Sequence, residues 1–423
     1  MIAFHFPPQH GSSGIQRTLK FAQYLAESGW QASVLTAHPR AHQQRSNDQL
    51  KDIPATVQVT RAFALDTSRH LAWKGRYLGW MALPDRWISW LLGAVPAGLA
   101  LIRRQRPTVI WSTYPIATAH LIGMVLQRLT GLPWVADMRD PMLDGEYPQG
   151  RLARRVAGWI ERHTVARCAR LVCTTPGAIR AYRARYPEVP PERFALIENG
   201  YDEDNFSDAE QGTVRPASAA ADAPFTLLHS GIVYPSERDP RPLFAALAQL
   251  HKDNRICGVR LRVRLRAPVH DDFLRALAAE HGLQEVIEVA PRLPYREALA
   301  EMLGADALLL LQASNCNHQI PAKLYEYLRA RRPILALTDP HGDTAAALRA
   351  AGVDTIGPLD SQPGIVQALT HFLQAARSGS APLPSFETSR AHARSARTVQ
   401  LALLLDQVSA EHACTKASAA AHP

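Results

Sequence analysis

Gln319-Ile320-Pro321-Ala322-Lys323-Leu324-Tyr325-Glu326-Tyr327-Leu328 is followed a few residues later by Arg332-Pro333-Ile334-Leu335. The stretch reads as a polar loop, a helix opened by Pro321 and a buried strand at residues 333–337. Proline suits the first helical turn, because the amide it lacks has no partner there. The free amides of that turn, with the positive end of the helix dipole, make a site for an anion such as a diphosphate. Lys323 and Glu326 stand three apart and share one face. A cation for phosphate and a carboxylate that accepts two hydroxyl hydrogen bonds suit a sugar nucleotide. Taken alone, the stretch is better read as an N-capped helix with a solvated Lys–Glu pair; the rest of the chain reverses that reading.

Outward from this segment, short apolar runs alternate with helical patterns, the signature of parallel βαβ architecture. Strands are expected near 2–6, 31–36, 56–61, 108–112, 133–137, 171–174 and 194–198, with helices at 15–28, 87–103, 116–129, 152–168 and 176–185. A polar, alanine-rich interval at 207–224 reads as a linker. A second series follows, with strands near 225–230, 259–266, 286–289, 306–311, 333–337 and 353–356. Residues 390–408 form one more amphipathic helix, and the small, polar stretch 409–423 reads as a frayed tail. The expected fold is therefore α/β, with two Rossmann-like, doubly wound domains at 1–206 and 225–389 facing a central cleft. Ligands in such sheets bind at the carboxyl ends of the strands.

The chain has 423 residues, 47% hydrophobic content and a formal net charge of +9. That size is natural for two domains with large cores. The basic residues are mostly arginines spread along the sequence, without a nucleic-acid-binding signature, so anionic membrane surfaces or phosphorylated ligands fit at least as well. Five scattered cysteines without a C-x-x-C pair suit a reducing cytosol and argue against a disulfide framework or structural zinc. The first residues lack the charged and apolar regions of a signal peptide. The expected location is cytoplasmic, with peripheral contact on the inner face of the membrane.

Five loops carry the candidate chemistry. Gly11, Ser12, Ser13 and Gly14 follow the first strand, where small residues let backbone approach a ligand. Asp137, Arg139 and Asp140 follow another strand end; they fit either an acceptor site or a buried structural ion pair. Asn199-Gly200 makes a turn, beside an Asp202-Glu203-Asp204 sequence read as a solvated acidic turn rather than a metal motif. Gly231 and Arg238 open the second domain, where a guanidinium can grip phosphate oxygens. The fifth loop holds His318, Ile320, Lys323 and Glu326. The spacing G-x-G-x-x-G is missing after the first strand, which disfavours a nicotinamide cofactor.

In order, P-P-x-x-G-S-S-G, D-M-R-D-P, N-G-Y-D, H-S-G…R-D-P and I-P-A-K-L-Y-E-Y-L…R-P-I-L resemble the family 4-like (group 1) glycosyltransferases of the GT-B fold. The resemblance implies a nucleotide-sugar donor held by the second domain and a glycan or lipid-linked acceptor held by the first. It further implies retention of anomeric configuration, no obligatory metal or cofactor, and a final helix returning to the first domain. Glu326 resembles the second glutamate of the family's E-x7-E motif, which holds the ribose hydroxyls. Arg238 and Lys323 resemble the basic residues on the diphosphate, with Gly231 allowing close approach and Gly11 to Gly14 closing over it. His318 stands where the family often has its first glutamate. Ser112-Thr113 stands where many relatives have a histidine, so Asp137, Arg139 and Asp140 are the candidates for orienting the acceptor. A role in bacterial surface polysaccharide synthesis follows as an expectation. A GT-B sugar-nucleotide epimerase and a non-catalytic scaffold are the rival readings.

All eight tryptophans lie at or before residue 159. Trp73, Trp80, Trp87 and Trp90, with Lys74, Arg76, Arg86, Arg103, Arg104 and Arg106, suggest a membrane-facing surface around an apolar helix. About half of these rings are expected to be core residues instead.

Overall fold

Every strand pair in the computed structural model, which describes residues 1–10, 14–145, 147–211 and 223–421, is parallel. The chain divides into two compact units, Met1–Glu198 with Arg394–Pro423, and Asn199–Ala393.

In the first unit the strands are β1 (Ser33–Ala37), β2 (Gln58–Ala62), β3 (Ile110–Thr113), β4 (Trp134–Met138), β5 (Arg170–Cys173) and β6 (Phe194–Leu196). Helices α1 (Gly14–Tyr24), α2 (Trp90–Gln105), α3 (Ala117–Thr130), α4 (Arg151–Arg167) and α5 (Pro176–Arg185) connect or cover them. β1 pairs with β2, and β3 to β6 pair in sequence. The strand expected at 2–6 is shorter: only Ile2 is bridged, to Leu35 on one side and Ser112 on the other, and it joins the two groups of strands.

β4 shows why these strands read as continuous apolar runs. All five of its residues are buried because helices cover both faces of the sheet. Successive side chains point to opposite faces. Trp134 and Ala136 accordingly enter one core with Phe4, Trp90, Ile122 and Ile160. Val135 enters the other, with Leu19, Phe21, Trp111 and Val172, which Leu401, Leu405 and Val408 of the terminal helix close.

That terminal helix runs from Arg394 to Ala421, so the stretch expected to fray from 409 is helical through 421. Its alanines are strong helix formers and carry the helix through the stretch expected to fray. Glu411 also ties the helix to Arg170 at 2.5 Å. Residues 390 and 391 belong instead to a separate short helix that ends at Ala391.

The second unit contains α6 (Glu203–Gln211), β7 (Phe225–Ser230), α7 (Arg241–Lys252), β8 (Leu261–Arg266), α8 (Asp271–Glu280), β9 (Ile287–Ala290), α9 (Tyr295–Gly304), β10 (Ala307–Leu311), α10 (Lys323–Ala330), β11 (Ile334–Leu337), α11 (Asp343–Ala350), β12 (Ile356–Gly357), α12 (Gln362–Arg377) and α13 (Phe386–Ala391). The strand order is β12-β11-β10-β7-β8-β9. β10 is buried along its whole length, as its Ala-Leu-Leu-Leu-Leu sequence requires.

α6 takes up the start of the interval read as a linker; the rest, 212–222, lies outside the described residues. Its acidic residues are not simply solvated. Arg329 of α10 pairs with Glu203 at 2.5 Å and with Glu210 at 2.8 Å, which places α6 in the second unit rather than the first.

Candidate functional site

In the second sheet β7, β8 and β9 extend one way and β10, β11 and β12 the other. The strand order therefore reverses between β7 and β10, and ligands in open parallel sheets bind outside the carboxyl ends at such a point. His229, Ser230 and Gly231 end β7 there, and the loop after β10 leads to α10.

Lys323 opens α10, and its Nζ lies 3.0 Å from Nε2 of His229. His229 is fully buried, and its Nδ1 lies 2.9 Å from the Leu309 carbonyl. That carbonyl can only accept, so Nδ1 carries the proton and Nε2 accepts from the ammonium. Burial, followed by the charge of Lys323, holds His229 well below the usual histidine range. Burial and then Arg238 likewise push Lys323 well below the usual lysine range, with Glu326 opposing them. A half-buried ammonium beside another cation is a group that an anion would relieve.

Gly231 makes room for this arrangement. Its φ of +109° belongs to the region that favours glycine, and a Cβ there would lie 3.1 Å from Lys323 Nζ. Arg238 donates from Nη1 to the Ile232 carbonyl at 2.9 Å and lies 5.3 Å from the centre of the Tyr234 ring. Its Nε is buried with no hydrogen-bond partner among the described residues. Glu326, one turn along from Lys323, accepts a 2.6 Å hydrogen bond from the Tyr295 hydroxyl.

The helix opens two residues later than Pro321 suggests. The Leu324 and Tyr325 amides turn back onto the carbonyls of Pro321 and Ala322, so the amides of Ala322 and Lys323 are the ones that turn leaves over. Ile320 is buried under this turn. His318 is half-buried in a braced loop. Asn317 there donates to Asp339 at 2.6 Å, and Thr344 donates to the Gln319 carbonyl at 3.0 Å.

In the first unit the loop after β4 separates its three candidates. Asp137 is fully buried and 2.7 Å from Arg17, itself only 2% exposed, and it accepts from Thr113 at 2.8 Å. Arg17 also donates to the carbonyls of Ile197 at 2.9 Å and Glu198 at 3.0 Å. Asp137 therefore clamps α1 to the end of β6 through a buried ion pair, and no acceptor can reach it. Its partner is Arg17, not the neighbouring Arg139.

Arg139 is half-buried against Gly14, which opens α1, and Asp140 beside it is exposed. A Cβ on Gly14 would collide with the Arg139 guanidinium and come within 2.7 Å of His5 Nδ1. Gly11, Ser12 and Ser13 lie outside the described residues. Ser112 holds Trp134 Nε1 at 2.8 Å and His120 at 2.7 Å, and Thr113 donates to Asp137, so the Ser112-Thr113 pair that ends β3 is also structural.

The sequence reading missed His229, Tyr295 and Arg17. A histidine one residue before the strand-end Ser230-Gly231 was the visible signal for His229; nothing local marks the other two. The acidic triplet is engaged as well, since Asp202 accepts from the Asp204 amide at 3.1 Å and Glu203 holds Arg329. Among the described residues no helix is long and apolar enough to cross a membrane.

Residues 13–200 match the family described as Glycosyl transferase 4-like domain. No curated protein matches the chain by sequence. Three solved structures share its fold. Sucrose-phosphate synthase from Thermosynechococcus elongatus has 15% identity and a TM-score of 0.68, covering 97% of this chain and 99% of its own. HepE of Anabaena in complex with UDP-glucose has 13% identity and a TM-score of 0.58, over 99% of each chain. WaaG, a glycosyltransferase involved in lipopolysaccharide biosynthesis, has 15% identity and a TM-score of 0.56, covering 96% of this chain and 99% of its own. The fold these chains share is GT-B.

Proposed function

We propose that this glycosyltransferase, whose residues 13–200 form a glycosyl transferase 4-like domain and whose two α/β units take the GT-B fold, moves a sugar with retention from a nucleotide-diphosphate donor to a glycan or lipid-linked acceptor. The observation that carries the donor reading is the contact of Lys323 with His229, under Gly231 and beside Arg238, at the reversal point of the second sheet. HepE was solved with UDP-glucose and with UDP, which supports a nucleotide sugar on the same fold.

In this reading Glu326, held by Tyr295, accepts the ribose hydroxyls. Lys323, Arg238 and the amides of Ala322 and Lys323 face the diphosphate. As the sugar–oxygen bond breaks, negative charge grows on the leaving phosphate, where preorganised donors contribute most to catalysis. Neutral His229 holds the Lys323 ammonium in place and leaves its proton on it. The leaving phosphate then helps deprotonate the acceptor hydroxyl attacking from the same side. Arg139 and Asp140 stand at the acceptor end, while Asp137 supports the fold. No metal is required, because the leaving group already meets cations and helix amides.

A membrane-proximal acceptor fits the surface of the first unit. Trp73 is 80% exposed and Trp80 64%, with Leu78 beside them at 61%, in a loop that also bears Lys74 and Arg76. Arg103, Arg104 and Arg106 do not join this patch. They sit at the far end of α2, about 20 Å from its start at 1.5 Å per residue. Trp90 is fully buried, and Trp87 is half-buried and donates to the Ala41 carbonyl at 3.1 Å, so both are packing residues. A role in surface polysaccharide synthesis fits such an acceptor.

The test is product analysis. The enzyme is given a panel of nucleotide sugars and bacterial lipid-linked acceptors, and the anomeric configuration of the product is read by NMR, with and without a chelator. A product that keeps the donor's configuration at an unchanged rate in chelator is expected. Inversion, or a rate that returns only with manganese, would remove the mechanism.

A further inference from the structure

The first sheet has a reversal point of its own. From the Ile2 segment the chain steps outward to β1 and β2 on one side, and β3 to β6 lie on the other. The carboxyl ends beside that point carry arginines and histidines that the donor site does not use. His5 leaves the central segment, Arg61 stands near the end of β2 and Arg139 just past β4. His42 and Arg45 come from the loop after β1, which is pinned to residues 8–10. The His10 amide donates to the Gln44 carbonyl at 3.0 Å, and the Ser46 amide to the Pro8 carbonyl at 2.9 Å.

Two of these groups are unfinished. His42 is 1% exposed, and neither of its ring nitrogens has a hydrogen-bond partner among the described residues. Arg61 donates from one Nη to the Pro7 carbonyl at 2.9 Å, while its other Nη is buried without a partner. Buried donors left unpaired carry a desolvation cost that a ligand's acceptor atoms remove. Of the carboxylates nearby, Asp137 is committed to Arg17, and Asp140, exposed beside Arg139, offsets part of that guanidinium's charge.

Resting on the glycosyltransferase reading above, we infer that this cluster binds a phosphate carried by the acceptor. Arg45 reaches it from the surface, and Arg139, His5, Arg61 and His42 are the more buried groups around it. A phosphate offers several acceptor oxygens in a compact shape, and guanidinium groups match it in pairs. The imidazoles are neutral. Burial, then Arg139 and His42, hold His5 down to about 3. Burial, then Arg61, Arg45 and His38, hold His42 down to about 4. A neutral imidazole still has one ring N–H to donate to a phosphate oxygen.

Calorimetry with inorganic phosphate tests this on the full-length protein, with UDP present in excess to occupy the donor site. Phosphate is expected to bind, and Arg61→Gln and Arg139→Gln are expected to weaken it about tenfold or more, the scale of a lost charged hydrogen bond. Arg45→Gln changes an exposed side chain and so guards against misfolding; it should weaken phosphate about threefold. UDP titrated alone into the same variants keeps its affinity, which separates this inference from the donor reading. Glucose 6-phosphate and phosphatidylglycerol vesicles, compared on the same variants, distinguish a free sugar phosphate from a lipid headgroup. Phosphate affinity that ignores all three substitutions would overturn the inference. So would phosphate binding that UDP abolishes, which would make the cluster part of the diphosphate site.

Discussion

Removing either partner of the Arg17–Asp137 pair should destabilise the first unit rather than touch chemistry. Asp137 is fully buried, with Arg17 2.7 Å away and 2% exposed. Arg17→Met leaves the carboxylate buried with the Thr113 hydroxyl still donating to it, and it strips donors from the Ile197 and Glu198 carbonyls. Breaking a buried pair from one side costs about 3–5 kcal/mol, because the remaining charge stays uncompensated. In a unit of this size each kcal/mol moves Tm by about 2–4 °C, so a fall of roughly 10 °C is expected. Asp137→Asn should cost less, since its amide keeps the shape and one acceptor. The double variant Arg17→Met with Asp137→Leu should recover much of the loss, as apolar replacements of buried pairs do. Thermal melts and urea titrations measure the stability; donor turnover at low temperature, per folded molecule, measures the function. The reasoning fails if Asp137→Asn melts like the wild type yet loses turnover a hundredfold, for then the carboxylate meets the acceptor after all.

Tyr295→Phe deletes the 2.6 Å bond to Glu326 from a side chain that is 42% exposed. It should weaken nucleoside diphosphate binding by about 0.5–1.5 kcal/mol in calorimetry while leaving Tm unchanged. Lys323 has a lowered pKa in the free protein, and a bound diphosphate raises it. Affinity is then fully present below the free-protein pKa and is lost as pH rises through the raised value of the complex; titrations in two buffers of different ionisation heat should show proton uptake across that window, and a flat pH profile with no uptake would contradict it. Replacing both Trp73 and Trp80 by Ser should abolish flotation with anionic liposomes at low salt and leave activity on a water-soluble acceptor intact; wild-type protein that fails to float would remove the membrane reading.

Much of the fold was legible because parallel strands buried on both faces leave apolar runs that periodicity finds. The strand at 225–230 and the helix at 176–185 have the bounds the sequence suggested. Legibility ends where contacts are long-range. Lys323 and His229 are 94 residues apart, and Arg17 and Asp137 are 120 apart. Only the pairing of β10 with β7, and of β3 with β4, shows that these groups share a strand end. Asp137 and Arg139 looked like partners because they are two apart in sequence, but Asp137 is buried within β4 on Arg17, whereas Arg139 lies past the strand end against Gly14. The tail misled for a local reason: small, polar residues at a chain end signal fraying by composition, whereas its alanines favour a helix by propensity, and the helix runs as far as residue 421.

The donor site is tested most directly by titrating UDP and uridine into the wild type, Glu326→Ala and Arg238→Ala. Glu326→Ala should weaken both ligands by about 1.5–3 kcal/mol, the range for a charged hydrogen bond. Arg238→Ala should weaken UDP and leave uridine nearly unchanged, because the proposed contact of its guanidinium is with the diphosphate alone. UDP affinity identical in all three proteins would contradict the assignment of the nucleotide to the β7–β10 end of the second unit.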